Sequence, residues 1–359
     1  MPSTGKAVPG FLLSVILYIC CSRVHSLPVH LSQAPFQLTR QQIEEYNTNG
    51  YVIIPKLLTE SQIQSSLQAV VRMKRKRSLA TRLMYKVFPS YGNLKFQTWR
   101  TNAALEEVAF DSPASSICAS LMGLNPQSQP LRLVKDAVLG YQAGDKGCEW
   151  HVDDKVFWPC EDGNFGKPNA GINVWITLSS ISKKNGGGLA LARGSHVKKG
   201  WTRKAREVIA ERGPITTCQL QALDLESWER MEGLKETHDL QPGDAIFHNR
   251  YLFHKGDPFS AESDVRERKG MKHRISLRYM PADATYQRFD MGSSIDPVID
   301  SKGLKTGDAL SKGGEYFPQT WPHRLPEEQQ KEVLADPELF TFKGIFQMMN
   351  KARNQQPEN

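Results

Sequence analysis

The sequence predicts a mainly β protein, with a sandwich or barrel of short strands between about residues 131 and 280. Segments rich in apolar and β-branched residues alternate there with Gly, Pro, Asn and Asp, and a long helical period is found only around residues 204–211. The chain has 359 residues, of which 39% are hydrophobic and 23% charged. This balance is typical of a globular protein with a large core and excludes disordered, collagenous and disulfide-scaffold classes.

Two helices and a strand are predicted before this region. Residues 38–46 are predicted to be a helix with Thr39 as its N-cap, and residues 50–55 a short β-branched strand. A second helix is predicted to begin near Thr59, because Gln62 follows three residues later as in a capping box. We expect these elements to pack against one sheet of the β region.

A basic cluster ends the second predicted helix. Five of the six residues from 72 to 77 are Lys or Arg. Such a cluster is found in nuclear-localisation and phosphate-binding patches, but cations also suit the C-terminal end of a helix dipole. The net charge of +8 is spread over a long chain, so a solvent-exposed helix end is the favoured interpretation and nucleic-acid binding is not expected.

Residues 1–26 have the pattern of a secretory signal peptide. An unbroken apolar stretch, residues 11–21, is followed by the small residues Val24 and Ser26, which fit a cut after Ser26. A buried helix is the alternative, but the stretch has no polar face. It is also too short to span a bilayer, which takes about 20 residues. We expect a mature chain that begins near Leu27, has no transmembrane segment, and resides in the ER lumen, outside the cell, or in an organelle such as a plastid reached through that route.

Four cysteines remain after that cut: Cys118, Cys148, Cys160 and Cys218. They are too few for a disulfide framework and include no C-x-x-C pair that would indicate structural zinc. Cys148 and Cys160 are candidates for a disulfide in an oxidising compartment. The sequence leaves that pairing open.

The sharpest local motif is His151-Val152-Asp153. A His-x-Asp pair on an extended strand places an imidazole and a carboxylate on the same side, so both can bind one metal ion. Distant partners strengthen the motif, because His248 and His254 follow in a later apolar region and Arg274 comes about 20 residues after them. Two histidines, one carboxylate and an arginine are typical of a facial-triad iron(II) oxygenase, which keeps coordination positions open for its co-substrate and oxygen.

From about residue 41 to residue 284 the chain resembles the phytanoyl-CoA dioxygenase family of 2-oxoglutarate-dependent oxygenases. Beyond the His-x-Asp motif, six segments follow in the family's order: residues 46–55 (YNTNGYVIIP), 173–178 (NVWITL), 185–189 (NGGGL), 194–196 (GSH), 242–244 (PGD) and 274–276 (RIS). The resemblance implies a double-stranded β-helix, a cupin-like jelly roll, with N-terminal packing helices over residues 38–284. Residues 285–359 are predicted to be a C-terminal extension.

By this resemblance the metal ligands are His151, Asp153 and His254, with His248 as the alternative third ligand. The metal is expected to be Fe(II), with 2-oxoglutarate and O2 as co-substrates. The implied reaction is hydroxylation of an unactivated carbon of an unknown small-molecule or lipid-like substrate, with release of succinate and CO2. A non-catalytic jelly roll that binds a metal or ligand is the alternative, and the intact candidate site argues against it. The oligomeric state is left open.

Arg274 has an independent argument from strand alternation. Lys272, Arg274, Ser276 and Arg278 form the polar face of a predicted strand. A polar face normally contacts water. In a barrel that holds a dianionic co-substrate it points inward, and we expect Arg274 to bind the far carboxylate bidentately. Lys272 and Arg278 are the alternates, and Ser276 is a candidate hydroxyl donor to the same carboxylate.

Trp175 shares a strand face with Asn173 and Thr177 that is expected to line the cavity. The resemblance places Trp175 beside the co-substrate, and a purely packing role for this residue stays open. Residues 161–168 form a polar, Gly-containing loop that we interpret as a substrate lid.

Three features of the sequence limit what the resemblance implies. Gly256 stands two residues after His254, where the namesake enzyme has a serine that contacts the co-substrate, so that contact is not expected. The sequence ends in Pro-Glu-Asn and not in a peroxisomal Ser-Lys-Leu, so peroxisomal fatty-acyl-CoA oxidation does not follow. Related halogenases have a small residue where this chain has Asp153, so we expect hydroxylation without incorporation of chloride.

Overall fold

The computed structural model describes residues 36–73, 79, 94–143, 148–153, 157–160, 167–197, 200–212, 219–260, 270–288 and 303–328. The predicted signal peptide, residues 74–77 of the basic cluster and residues 161–166 of the predicted lid lie outside these ranges. No helix within the ranges is both long and apolar enough to cross a membrane.

Three elements open the described chain in the predicted order: α1 (Arg40–Asn49), β1 (Tyr51–Ile54) and α2 (Glu60–Met73). Both helices begin at reciprocal hydrogen bonds between a threonine and a glutamine. Thr39 and Gln42 form a capping box at α1, and Thr59 and Gln62 bond each other's backbone N–H groups at α2. These bonds satisfy N–H groups that the first helical turn leaves unpaired, and they confirm both predicted helix starts.

The remaining described helices and strands follow in chain order. They are β2 (Lys95–Phe96), α3 (Ala103–Phe110), α4 (Ala114–Met122), β3 (Leu131–Tyr141), β4 (Ile172–Thr177), β5 (Leu189–Ala192), α5 (Gly200–Arg212), α6 (Leu220–Leu223), α7 (Leu225–Gly233), β6 (Lys235–Glu236), β7 (Ala245–Asn249), β8 (His254–Gly256), β9 (Lys272–Pro281) and β10 (Gln319–Trp321).

The described strands form two antiparallel sheets. The major sheet has the order β1-β7-β4-β9-β3-β10, with β2 also paired to β3, and the minor sheet has the order β6-β5-β8. Neighbours in space are distant in sequence, as in a jelly roll. This topology confirms the predicted mainly β, cupin-like fold.

The two faces of the major sheet have different surroundings. On the outer face Val174, Ile176 and Leu277 join one apolar core with residues of α2, α3 and α4. On the inner face Trp175 and Ile246 belong to a second apolar cluster with residues of the minor sheet. The alternation predicted for β4 is therefore confirmed, and its Trp175 face points into the space between the sheets.

The C-terminal part of the described chain is integrated into the major sheet. β10 is an edge strand that pairs with β3, and the chain then forms a short 3-10 turn, Pro326–Glu328. Glu328 accepts hydrogen bonds from Arg132 Nη1 at 2.8 Å and from the Gln319 backbone N–H at 2.7 Å. Both charged side chains of this ion pair are 5% exposed, so the segment is fixed by a buried charge pair.

The cysteines do not form the pair that the sequence left open. Cys148 is half of a disulfide, whereas Cys118 and Cys160 are buried thiols. Cys160 instead lies against Arg250, whose guanidinium donates to its Sγ and to its carbonyl oxygen, both at 3.3 Å. A Cys148–Cys160 disulfide is therefore excluded.

Candidate metal centre

His151 and His254 are joined as a pair of extended residues at the minor sheet. The backbone N–H of each donates to the carbonyl of the other, at 3.0 and 2.9 Å. This bridge sets the two imidazoles side by side, with ring centroids 4.4 Å apart. Asp153 completes the group, since its Oδ1 lies 3.8 Å from His151 Nε2 and 3.6 Å from His254 Nε2. One ligand atom from each of the three residues lies within 4.8 Å of the others.

Backbone carbonyls orient both imidazole rings. Nδ1 of His151 lies 2.7 Å from the carbonyl oxygen of Glu149, and Nδ1 of His254 lies 2.9 Å from that of Leu252. A carbonyl can only accept, so each Nδ1 carries the proton and each Nε2 presents a lone pair. The rings are thus held in the tautomer that a metal ligand requires.

The charges of the group also suit a cation. Burial, together with the neighbouring His254, lowers the pKa of His151 to about 4. Burial alone would raise the pKa of Asp153, but Arg278 and the two histidines outweigh it and hold that pKa well below its ordinary value. At neutral pH the group offers a neutral His151 imidazole and an ionised carboxylate, and this donor set fits a first-row divalent metal.

Arg278 contacts Asp153 directly. Its Nε and Nη2 donate to Asp153 Oδ2 at 3.0 and 2.7 Å, and the two side chains are only 3% and 5% exposed. Asn173 Nδ2 also donates to Oδ2, at 3.4 Å, and Ser276 donates its hydroxyl hydrogen to Asn173 Oδ1 at 2.6 Å. The sequence predicted that Arg278 is an alternate partner of the co-substrate; in the structure its bonds go to the candidate metal ligand.

Arg274 lies further along the same face of β9. Its guanidinium carbon is 5.4 Å from the ring centroid of Tyr141 and 5.6 Å from that of Trp175. Arg278 lies four positions later, about 13 Å along a strand. The structure therefore brings Arg274 and Trp175 together on the inner face of the major sheet, whereas Lys272 donates from its Nζ to the Ser180 carbonyl at 2.9 Å.

His248, the alternative third ligand, packs beside the group without joining it. Its ring centroid is 4.7 Å from that of His254, and its Nδ1 lies 3.1 Å from the Asn249 carbonyl oxygen. Burial, with the nearby His254, lowers its pKa to about 3. The ligand group in the described part of the chain contains His254 and not His248.

A second network braces the two ligand-bearing segments against α7. Lys255 follows His254 in the chain, and its buried ammonium bonds Glu232 and lies 3.6 Å from Glu149 Oε2. Trp150 Nε1 donates to the same Glu232 carboxylate at 2.7 Å. The sequence did not predict these contacts, or the contact of Arg278 with Asp153, because the partners come from elements far apart in the chain. Trp150 and Lys255 have one local signal, since they are the chain neighbours of His151 and His254.

Comparison with solved structures supports the fold. The non-heme alpha-ketoglutarate-dependent carbocyclase SnoK from nogalamycin biosynthesis is 20% identical over 80% of this chain and 99% of its own, with a TM-score of 0.55. The epimerase SnoN of the same pathway is 19% identical over 83% and 98%, with a TM-score of 0.52. A second structure of SnoN, with Fe3+, alpha-ketoglutarate and nogalamycin RO, covers 77% and 96% at 19% identity and a TM-score of 0.53.

Sequence comparison identifies the family. No curated protein matches the chain in sequence. The family model described as phytanoyl-CoA dioxygenase (PhyH) matches residues 46–266, which is more than half of the chain and includes His151, Asp153 and His254. The segments noted in the sequence lie in the same region, apart from the one at residues 274–276. The chain belongs to the phytanoyl-CoA dioxygenase family.

Proposed function

We propose that this protein is an Fe(II)- and 2-oxoglutarate-dependent dioxygenase that hydroxylates an unactivated carbon of a small-molecule or lipid-like substrate, with release of succinate and CO2. One observation carries the proposal: one ligand atom each from His151, Asp153 and His254 lies within 4.8 Å of the others, inside a jelly roll of this family. The SnoN structure with Fe3+ and alpha-ketoglutarate, a protein of the same fold, supports the choice of metal and co-substrate.

The residues have separate roles in this proposal. His151, Asp153 and His254 hold the metal, and Arg274 pairs with the far carboxylate of 2-oxoglutarate beside Trp175. When bound, iron(II) and 2-oxoglutarate supply the oxygen chemistry that side chains lack. The protein orients the reactants and excludes water, and the inner-face apolar cluster that includes Trp175 suits the second task.

Asp153 also favours hydroxylation over halogenation. A carboxylate at this position fills the place that a chloride ion needs on the metal. In a turnover assay with chloride present we therefore expect a hydroxylated product, and a chlorinated product from the unmutated protein would overturn this part of the proposal.

The proposed activity is tested by substrate-triggered succinate release. The iron-loaded protein is incubated with 2-oxoglutarate, oxygen and a panel of small molecules and lipids, and succinate is measured. We expect one class of compound to raise succinate release in the parent but not in Asp153→Ala. A non-catalytic jelly roll, the alternative function, would show no stimulated release and no dependence on Asp153.

We also propose that the protein passes through the secretory pathway. The disulfide at Cys148 supports this location, because disulfides persist mainly in oxidising compartments. The expected mature N-terminus near Leu27 is the second part of the proposal.

A further inference from the structure

Five buried polar side chains form a single row across the inner face of the major sheet. Successive strands place them in register: Tyr51 pairs with His248, His248 with Asn173, Asn173 with Arg278, and Arg278 with Lys135. Each is at most 7% exposed. We call these residues the polar row. Its middle touches the candidate metal centre, since His248 packs on His254 while Asn173 and Arg278 bond Asp153.

The polar row gives the two oxygens of Asp153 different surroundings. Three side-chain hydrogen bonds end on Oδ2: two come from Arg278 and one from Asn173. Oδ1 is the oxygen that faces Nε2 of both histidines. One oxygen is therefore held by the sheet and the other is directed at the metal position.

The donors to Oδ2 are themselves fixed. The Arg278 guanidinium lies 4.4 Å from the ring centroid of Phe157, and the Asn173 amide is oriented by the Ser276 hydroxyl at 2.6 Å. Neither donor can follow Oδ2 toward a metal without leaving buried contacts. A buried carboxylate that leaves an arginine also leaves an unpaired charge, which is strongly unfavourable.

We propose that Arg278 is a positioning residue that keeps Asp153 a one-oxygen metal ligand. Carboxylates bind metals through one oxygen or through both, and two-oxygen binding would occupy a coordination position that the co-substrate and oxygen need. By holding Oδ2, Arg278 keeps that position available. The inference rests on the proposed metal site and deepens it, since it gives a reason for the position of the positively charged Arg278 beside a site for a metal ion.

The charge of Arg278 separates this role from simple structural support. An arginine next to a divalent cation repels it, so removal of the guanidinium should leave metal affinity unchanged or make it stronger, provided the fold is intact. Removal should nevertheless let Asp153 bind the metal through both oxygens, which leaves one coordination position fewer for other ligands. A residue that only supported the site would lower metal affinity when removed and would leave the number of open positions unchanged.

The test counts water molecules on Mn(II) bound to the full chain, by water-proton relaxivity. We compare the parent with Arg278→Met, which removes both donors, and Arg278→Lys, which keeps the charge and one donor. We expect Arg278→Met to bind Mn(II) at least as tightly as the parent but with one fewer bound water, and Arg278→Lys to restore the parent's count. An unchanged water count in a folded Arg278→Met protein would overturn the proposal.

A structure of the parent with Mn(II) keeps the proposal testable if Arg278→Met does not fold. Asp153 should bind through Oδ1 alone while Arg278 stays on Oδ2; bonding of both oxygens to the metal would overturn the role of Arg278. Neither measurement needs 2-oxoglutarate. If the iron-loaded parent failed to bind 2-oxoglutarate, the proposed function would fail, and the water count would still decide the role of Arg278.

Discussion

The backbones of His151 and His254 hydrogen-bond to each other in both directions, at 3.0 and 2.9 Å. The spacing of their imidazoles is therefore a property of the sheet and does not depend on a metal. With each Nδ1 bonded to a backbone carbonyl, both rings are oriented before any ligand arrives. A preorganised site of this kind loses little conformational freedom when it binds a metal.

Arg274→Ala should weaken 2-oxoglutarate binding while leaving metal affinity intact. Loss of one partner of a buried charge pair costs about 2–5 kcal/mol, which corresponds to about 30-fold to several-thousand-fold in affinity. Anaerobic titration of the iron-loaded variant measures this. Lys272→Ala is the matched control on the same strand face, because its Nζ bonds the Ser180 carbonyl. If Lys272→Ala weakens binding and Arg274→Ala does not, Lys272 is the anchor.

His248→Phe should bind metal with nearly the affinity of the parent. The substitution keeps an aromatic ring against His254 and removes both ring nitrogens, and His248 lies outside the ligand group. We expect metal affinity to change by less than about 10-fold, the lower bound of the losses typical of residues that support metal ligands. Calorimetry measures the affinity of both variants, and His254→Ala should lose far more affinity than His248→Phe. Equal losses in the two variants would restore His248 as a ligand.

The local parts of this site could be predicted from the sequence and the long-range parts could not. The side-by-side placement of His151 and Asp153 follows from strand alternation, and the helix starts at Thr39 and Thr59 follow from capping chemistry, because both depend on residues a few positions apart. Alternation also placed Arg274 and Arg278 on one face of β9. Which of the two meets Asp153 depends on how β9 is placed relative to the His-x-Asp segment, and the sequence carries no signal for it.

The pairing of β3 illustrates the same limit. Its register with β9 shifts between Leu133 and Lys135, so residues beyond the shift face the opposite side from the one that simple counting predicts. The position of Lys135 opposite Arg278 depends on that irregularity. The disulfide of Cys148 is equally non-local, because the spacing of cysteines does not determine which two meet.

Glu328→Ala should lower the free energy of unfolding by about 3–5 kcal/mol, because it leaves the buried Arg132 without its charge partner. Urea denaturation monitored by circular dichroism measures this. The double variant Arg132→Met with Glu328→Ala should recover part of the loss, since it removes the unpaired charge. A single-variant loss below about 1 kcal/mol, the value of an exposed ion pair, would show that the C-terminal segment is not fixed in this way.

Native protein should begin near Leu27, and its Cys148 should be disulfide-bonded. In denaturant without reductant we expect alkylation of Cys118 and Cys160, which are thiols, and none at Cys148 until a reductant is added. N-terminal sequencing and peptide mass analysis of the same material measure both features. Material that retains residues 11–21, or in which Cys148 reacts without reduction, would argue against passage through an oxidising compartment.

The most direct test of the proposed function is an anaerobic titration of the Fe(II)-loaded protein with 2-oxoglutarate, followed through metal-to-ligand charge-transfer absorption. We expect a saturable band in the parent and in His323→Ala, an exposed histidine outside the site. His151→Ala and Asp153→Ala should lose more than about 100-fold in iron affinity, above the usual effect of residues that only support ligands, and should show no band. Absence of the band in iron-loaded parent protein would contradict the assignment of this chain as a 2-oxoglutarate-dependent dioxygenase.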